Sequence, residues 1–315
     1  MFNAELKSNW DEDICLLIKV DNHSFNYLCE CGEASNLSLK ECQNTNAIFI
    51  SHTHIDHFSN FDTVLRSQLG IGRTVTIVGP QGITGQVQHR IKSYCWNLIK
   101  EDSICYEIRE VVDRSTYIST LLKPPLWEKT EIRKVNDLPV FEEDSFVVEF
   151  EILDHKTDSI SYLFKGKQKT KIQLPDELNG GKWVRDLKLA FANNEPTAEI
   201  EIDGKVHQAD ELFQYILAED GYRLGVIMDH SATKQNHDKI KRLFSNADIV
   251  FIESFYLNEE KELAQTNYHS YAAKSGNIMK SCNIKHAIPV HFSRKYRPED
   301  IDKLHDQFNE AYLDR

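Results

Sequence analysis

No run of residues in this sequence is both long and apolar. The start, Met1-Phe2-Asn3-Ala4-Glu5-Leu6, has no basic segment followed by an apolar one, and no later stretch reaches the roughly 20 apolar residues that cross a bilayer. A secretory leader and a membrane span are therefore not expected, and a cytoplasmic location is. Basic excess is lacking as well: 37 Lys and Arg stand against 49 Asp and Glu, a formal charge of −12. A general phosphate binder would be basic overall, so any contact with nucleic acid has to come from a local patch. Patterned cysteine is the third absence. Cys15, Cys29, Cys31, Cys42, Cys95, Cys105 and Cys282 are odd in number and irregular in spacing, which fits reduced thiols and not a disulfide framework. Cys29 and Cys31 lie in an apolar run and are read as small buried residues. No Gly-Lys-Ser/Thr follows Gly79-Pro80-Gln81-Gly82, no serine stands in a nucleophile elbow, and no repeat or low-complexity tract is visible.

What is present is a globular chain with a strong alternation of elements. Its 315 residues, 41% hydrophobic, are enough for one sizeable core. Apolar runs at 14–20, 27–31, 47–50, 75–78, 147–153, 224–228, 249–252 and 287–290 predict strands. Helical spacing predicts helices around Phe58 to Leu69 (ended by Gly70) and over 83–99, 234–244, 271–282 and 298–312, the last opened by Pro298. Strands alternating with helices favour an α/β class in which helices cover sheets. One segment departs from this pattern. Residues 165–222 hold a lysine-rich stretch, a Gly180-Gly181 pair and a hairpin expected to turn at Asp203-Gly204. It reads as an inserted arm within a single domain spanning 1–315.

The chemistry concentrates in Ser51-His52-Thr53-His54-Ile55-Asp56-His57, directly after the run Ala47-Ile48-Phe49-Ile50. Imidazole nitrogens and a carboxylate are good zinc donors, and a loop leaving a strand end splays neighbouring side chains toward different points. Three later apolar runs also end in potential ligands: 147–153 in Asp154-His155, 224–228 in Asp229, and 287–290 in His291. Each alone is an ordinary polar strand end. Four together point to one metal site at a common sheet edge.

These pieces resemble the metallo-β-lactamase superfamily and, within it, ribonuclease Z, the endonuclease that trims the 3′ end of precursor tRNA. Tyr27-Leu28-Cys29-Glu30-Cys31-Gly32-Glu33 resembles that family's strand ending in Asp-Cys-Gly-Glu. Ile252-Glu253-Ser254-Phe255 resembles its His-Glu-Ala-Thr element, His269-Ser270-Tyr271 its His-Ser-Thr step, and His291-Phe292-Ser293-Arg294-Lys295-Tyr296 its His-Phe-Ser-x-Arg-Tyr. The chain departs from the pattern in lacking the family's N-terminal Gly-Thr-Ser, and in Ile252, Tyr271 and His230-Ser231; none of these removes a ligand. His230 is expected to be either exposed, the slightly favoured reading, or an extra partner behind the ligands.

The resemblance implies an αββα sandwich of two mixed sheets packed face to face with helices outside. It implies two zinc ions, with manganese or iron as alternatives. His52, His54 and His155 would hold one, Asp56, His57 and His291 the other, with Asp229 bridging. A metal pair about 3.5–4 Å apart makes a nucleophile from water at neutral pH and neutralises a phosphoryl group. Asp56 would also orient the attacking water, and His269, supported by Glu253, would be the proton donor. The family's RNA-gripping arm falls where the insertion lies, so Lys165, Lys167, Lys169, Lys171, Lys182 and Arg185 are the expected substrate-binding residues. Alternation would put the first four on one face of a single strand, and Trp183 and Lys188 add an aromatic and another cation. The same lysines are also what an ordinary solvated face looks like. The expected activity is zinc-dependent phosphodiester hydrolysis of precursor tRNA, with a homodimer implied by the resemblance. The alternatives are a small-substrate phosphodiesterase for cyclic nucleotides, a lactone or thioester hydrolase, and a non-catalytic RNA-binding scaffold.

Overall fold

A computed structural model of the chain describes residues 2–136, 139–174 and 178–313. Eight strands form the first sheet in sequence order: β1 (Phe2–Leu6), β2 (Leu16–Val20), β3 (Asn26–Cys29), β4 (Thr45–Phe49), β5 (Thr74–Gly79), β6 (Cys105–Asp113), β7 (Thr116–Leu122) and β8 (Lys129–Val135). Its centre, β3 to β6, is parallel, and its two ends are antiparallel. Three more strands follow, β9 (Phe141–Glu142), β10 (Phe146–Asp154) and β11 (Asp158–Gly166). After the short strands β12 (Lys169–Ile172), β13 (Glu199–Ile202), β14 (Lys205–Gln208) and β15 (Ile216–Glu219) come β16 (Arg223–Ile227), β17 (Ile249–Glu253) and β18 (His286–Val290). The second sheet has the order β18-β17-β16-β11-β10-β9, parallel across β16, β17 and β18.

Side-chain alternation along these strands builds three cores from two sheets. Leu16, Ile18, Tyr27, Cys29, Ala47 and Phe49 point between the sheets, where they meet Phe146, Tyr162, Phe164, Val226 and Phe251. Their neighbours Leu17, Leu28, Ile48 and Ile50 point the other way, onto the helices Phe61–Gln68 and Ile83–Lys92. On the far side of the second sheet, Leu163, Ile227, Val250 and Ile252 pack against the helices Lys234–Phe244, Ala272–Ser281 and Pro298–Leu313. Near-continuous apolar runs such as Leu16-Leu17-Ile18 are what a strand covered on both faces requires. The layering is helix, sheet, sheet, helix, as expected.

The chain divides into two compact units, Met1–Lys165 with Tyr222–Arg315, and Gly166–Gly221. The second has its own small core of Trp183, Leu187, Ile200, Ile202, Leu212 and Ile216. Its hairpin turns at Asp203 and Gly204, both with positive φ (50° and 79°), the backbone that an Asp-Gly hairpin turn demands. One helix is shorter than its pattern predicts. The element starting at Ile83 ends at Lys92, where Ser93 caps it and Trp96 folds back to donate to the Ile91 carbonyl at 2.8 Å.

Candidate metal centre

Each proposed ligand sits where a strand stops. Beyond β4 the chain turns at Ser51, whose N–H donates to Glu30 Oε1 (3.0 Å), and delivers the buried His52. A short helix, Ile55–Phe58, then begins at once with His54 at its N-cap, so that Asp56 and His57 fall in its first turn. Close packing beneath this loop explains Gly32: a Cβ there would lie 2.2 Å from the Asp56 carbonyl oxygen. His155 stands in the turn after β10, held by its N–H to the Thr157 carbonyl at 2.9 Å. Asp229 lies two residues past β16 and His291 one past β18.

These strand ends bring the seven groups together as two sets. His52, His54, His155 and Asp229 offer donor atoms within 4.8 Å of one another, and so do Asp56, His57 and His291. Asp229 joins the sets. Its Oδ2 lies 3.7 Å from His52 Nε2 and 3.4 Å from His155 Nε2, while its Oδ1 lies 3.5 Å from His57 Nε2 and 2.7 Å from His291 Nδ1. Asp56 Oδ2 is 3.7 Å from His57 Nε2 and 3.5 Å from His291 Nε2. Donors about 2.0–2.1 Å from one zinc stand about 3.3–3.4 Å apart at the corners of a tetrahedron, so most of these spacings suit a shared cation.

The donor set passes a second test. His52 Nε2, His57 Nε2, Asp229 Oδ1 and His291 Nδ1 are buried without a hydrogen-bond partner, although Asp229 Oδ1 and His291 Nδ1 are close. Buried polar atoms normally find partners, and four such atoms converging on one spot are costly unless a cation satisfies them. The residues present fit two metal ions of the zinc type.

The opposite ring nitrogens are occupied. His57 Nδ1 meets Glu30 Oε2 at 3.1 Å, His52 Nδ1 meets Ser51 Oγ at 3.0 Å, and His155 Nδ1 donates to the Tyr268 carbonyl at 2.7 Å. Such partners fix ring orientation and leave the other nitrogen free to ligate. Glu30 received no role from the sequence beyond its place in Glu-Cys-Gly-Glu. Burial pushes its carboxyl above the ordinary range, while the hydrogen bond between Oε2 and His57 Nδ1 opposes that. Glu30, Tyr268 and His291 all have positive φ (65°, 62° and 55°), backbone strain gathered around the site. Glu30→Gln is expected to weaken the second metal position by about 10- to 100-fold in affinity, read by chelator competition. Unchanged affinity would remove Glu30 from the site.

His230 corrects an expectation. It is fully buried, its N–H donates to Glu253 Oε2 at 3.1 Å, and its Nδ1 meets the Met228 carbonyl at 2.9 Å. The reason is its place: the chain leaving β16 runs inward over β17, so the residue after Asp229 is covered. It helps to hold Glu253. That carboxylate is itself buried, accepts from Ser270 N at 3.3 Å, and makes a short hydrogen bond with His269 Nδ1. Burial disfavours charge on both members, yet each holds the other ionised, with Glu253 below and His269 above its ordinary range.

The ligand rings divide by charge. Burial brings His52 down to about 2 and lowers His54, so both are neutral donors. Burial also works against charge on His57 and His291, but Asp229 outweighs it, helped by Glu30 at His57 and Asp56 at His291. His57 is raised well above its usual range, and His291 is pushed up to about 10. Metal binding therefore has to displace protons. Groups whose folded pKa exceeds the unfolded value of about 6.5 stabilise fully below that pH and lose their contribution as pH rises through the folded value. His52 and His54 are neutral in both states above about pH 6.5 and add nothing there. The chelated protein should therefore show a falling Tm between about pH 7 and 10, a loss the metal-loaded protein does not share. A chelated protein with a flat Tm over that window would contradict these assignments.

The single strand expected over Lys165 to Lys171 is two strands. The strand breaks at 167–168, so that Lys165 belongs to β11 while Lys169 and Lys171 belong to β12. Lys165 pairs with Glu149 (3.4 Å) and Lys171 with Glu219 (2.8 Å). Lys169, Lys182 and Arg185 are exposed. Trp183 is no base platform: it is buried in the core of its unit, with Nε1 donating to the Asn179 carbonyl at 3.0 Å. Residues 166–221 carry seven Lys and Arg against eleven Asp and Glu, a formal −4.

Against solved structures, the chain is similar over 99% of its length, and 93% of the other's, to the metallo-β-lactamase fold protein YhfI from Bacillus subtilis, with a TM-score of 0.60 at 12% identity. The chain has the metallo-β-lactamase fold. A human tRNase Z, short form, also matches over 94% of both chains, with a TM-score of 0.58 at 15% identity. Among curated sequences, ribonuclease Z of Borreliella burgdorferi is 28% identical over 301 residues, 92% of this chain and 83% of the relative. Ribonuclease Z of Deinococcus radiodurans is 24% identical over 283 residues, 87% of this chain and 84% of the relative. No family model matches. The sequence is ribonuclease Z-like along most of its length, and this metallo-β-lactamase-fold chain places its metal-ligand candidates at the ends of strands from both sheets.

Proposed function

We propose that this chain is a two-metal phosphodiester hydrolase that cuts precursor tRNA at its 3′ end. The observation that carries the reading is Asp229, whose two oxygens face two separate ligand sets while the Glu253–His269 pair stands beside it. The similarity to ribonucleases Z supports RNA as the substrate. When bound, a metal pair supplies a nucleophile from water at neutral pH and offsets phosphoryl charge. Asp56, held near His291, orients the attacking water and accepts its proton. Glu253 fixes Nδ1 of His269, and His269 gives the proton on Nε2 to the departing oxygen. Zinc is the preferred metal for a set of five imidazoles and two carboxylates, with manganese or iron as alternatives. A cytoplasmic location and a homodimeric state belong to the same reading. Among the described residues no helix is long and apolar enough to cross a membrane.

One observation favours a second reading, a phosphodiesterase for small substrates such as cyclic nucleotides. The inserted unit is net acidic, and two of the expected substrate-binding lysines, Lys165 just before it and Lys171 within it, are already ion-paired. Of the cations expected to meet substrate, Lys169, Lys182 and Arg185 are exposed. Replacing all three by alanine should weaken precursor tRNA binding and flatten its salt dependence by roughly 0.7–0.9 in log–log slope for each phosphate no longer neutralised. A small model diester, which reaches only the metal centre, should be affected far less. An unchanged affinity and salt slope would take the inserted unit out of substrate binding and make the small-substrate reading the leading one.

A further inference from the structure

We infer that Phe255 is a positioning residue that holds the ring plane of His269 for proton donation, an inference that rests on the hydrolase reading above. In the resemblance to His-Glu-Ala-Thr, Phe255 occupies the threonine position, so the aromatic ring is a departure from that pattern. Its ring lies parallel to that of His269, with centroids 3.9 Å apart and planes 7° apart. Backbone hydrogen bonding sets the stack: Ser293 N donates to the Phe255 carbonyl at 3.1 Å, tying the segment after β17 to the loop after His291.

The need for such a stack follows from the geometry of the acid. The bond to Glu253 restrains Nδ1 of His269, and Cγ is held by the side chain, but the imidazole can still tilt about the line through those two atoms, and the tilt displaces Nε2, the atom that must reach the departing oxygen. Phe255 closes one face of the ring. Tyr256 stands edge-on at 5.8 Å, and His155 lies 4.7 Å from it. A flat aromatic face also attracts the ring while it carries the proton. As the P–O bond breaks, the proton passes from Nε2 to the leaving oxygen, and the neutral ring remains bonded to Glu253. Phe255 touches no reacting atom and acts only through His269.

The test uses the full-length metal-loaded protein, with Phe255→Leu removing the flat face and Phe255→Tyr keeping it. Two substrates are compared: an RNA diester with an alkoxide leaving group and a nitrophenyl phosphodiester. Phe255→Leu should lower kcat on RNA by about 10- to 100-fold, with KM and metal content near wild type, because small misplacements of a catalytic group carry such losses. Its loss on the nitrophenyl ester should be much smaller, since nitrophenolate leaves without an acid, and Phe255→Tyr should restore most of the RNA rate. Equal losses on both substrates, or no recovery in Phe255→Tyr, would overturn the inference. A fold failure of Phe255→Leu would leave a direct readout in the wild type. The His269 ring protons, assigned by their loss in His269→Ala, should be shifted upfield by the stacked phenyl ring relative to the other site histidines; no shift would overturn the inference. A wild type that is metal-loaded but cleaves neither substrate would sink the hydrolase reading itself. Discrimination by His269→Ala but not by Phe255→Leu would sink this inference alone.

Discussion

His269→Ala should slow cleavage of RNA by about 10²–10⁴-fold, the usual contribution of a positioned general acid. The oxygen leaving an RNA diester is strongly basic and needs a proton as the bond breaks. Nitrophenolate does not, so hydrolysis of a nitrophenyl phosphodiester should lose far less in the same variant. The structure supplies the reason for choosing this histidine among thirteen. Its Nδ1 is bound to the buried Glu253, which holds the ring protonated above the usual histidine range. His269 also lies within 4.8 Å of Asp229 and Glu253 in a grouping able to hold a cation. The two roles separate cleanly: loss of a donor leaves metal content intact, whereas loss of a ligand lowers it. Equal rate losses on both substrates, accompanied by metal loss, would reassign His269 as a ligand.

Asp229→Ala should have the broader effect, a fall on the order of 10³-fold or more on every substrate, because both proposed metal positions depend on it. Metal acidifies bound water from a pKa of 15.7 to about 7, and an enzyme that loses its metal loses that gain. Asp229 is buried, 2% exposed, with Oδ1 3.5 Å from His57 Nε2 and 2.7 Å from His291 Nδ1. Its removal leaves both imidazoliums short of a carboxylate as well as breaking the bridge. Elemental analysis should find about two metals per wild-type chain and clearly fewer in the variant, because the ligand groups exceed what one tetrahedral zinc takes. A variant that stays fully loaded and active would remove Asp229 from the centre of the account.

The residues of the candidate metal centre were legible in the sequence because they stand at or soon after the ends of apolar strands, and strand periodicity is a strong signal. Among the strands the pattern missed, β1, β9 and β15 are short, and β6 and β8 are part-exposed or exposed. The meander of β6 to β8 carries charges such as Glu107, Arg109 and Lys134 that dilute its alternation. Residues that act through others were harder to see. Glu30 matters because β3 lies beside β4, which brings its carboxylate to His57 from 27 positions away. Phe255 matters because β17 and the segment before Ala272 meet in space. His230 was misread because nothing local distinguishes a histidine turned inward over β17 from one turned to solvent. The lysines at 165–171 fall on two strands and not one, because alternation says nothing about where a strand ends.

Incubating the metal-loaded protein with a precursor tRNA bearing a 3′ trailer, and mapping the product ends, tests the central claim most directly. The account predicts one cut at the 3′ end of the tRNA body, abolished by chelation and by Asp229→Ala. An intact precursor, under conditions where the same preparation hydrolyses a cyclic nucleotide or a lactone, would contradict it.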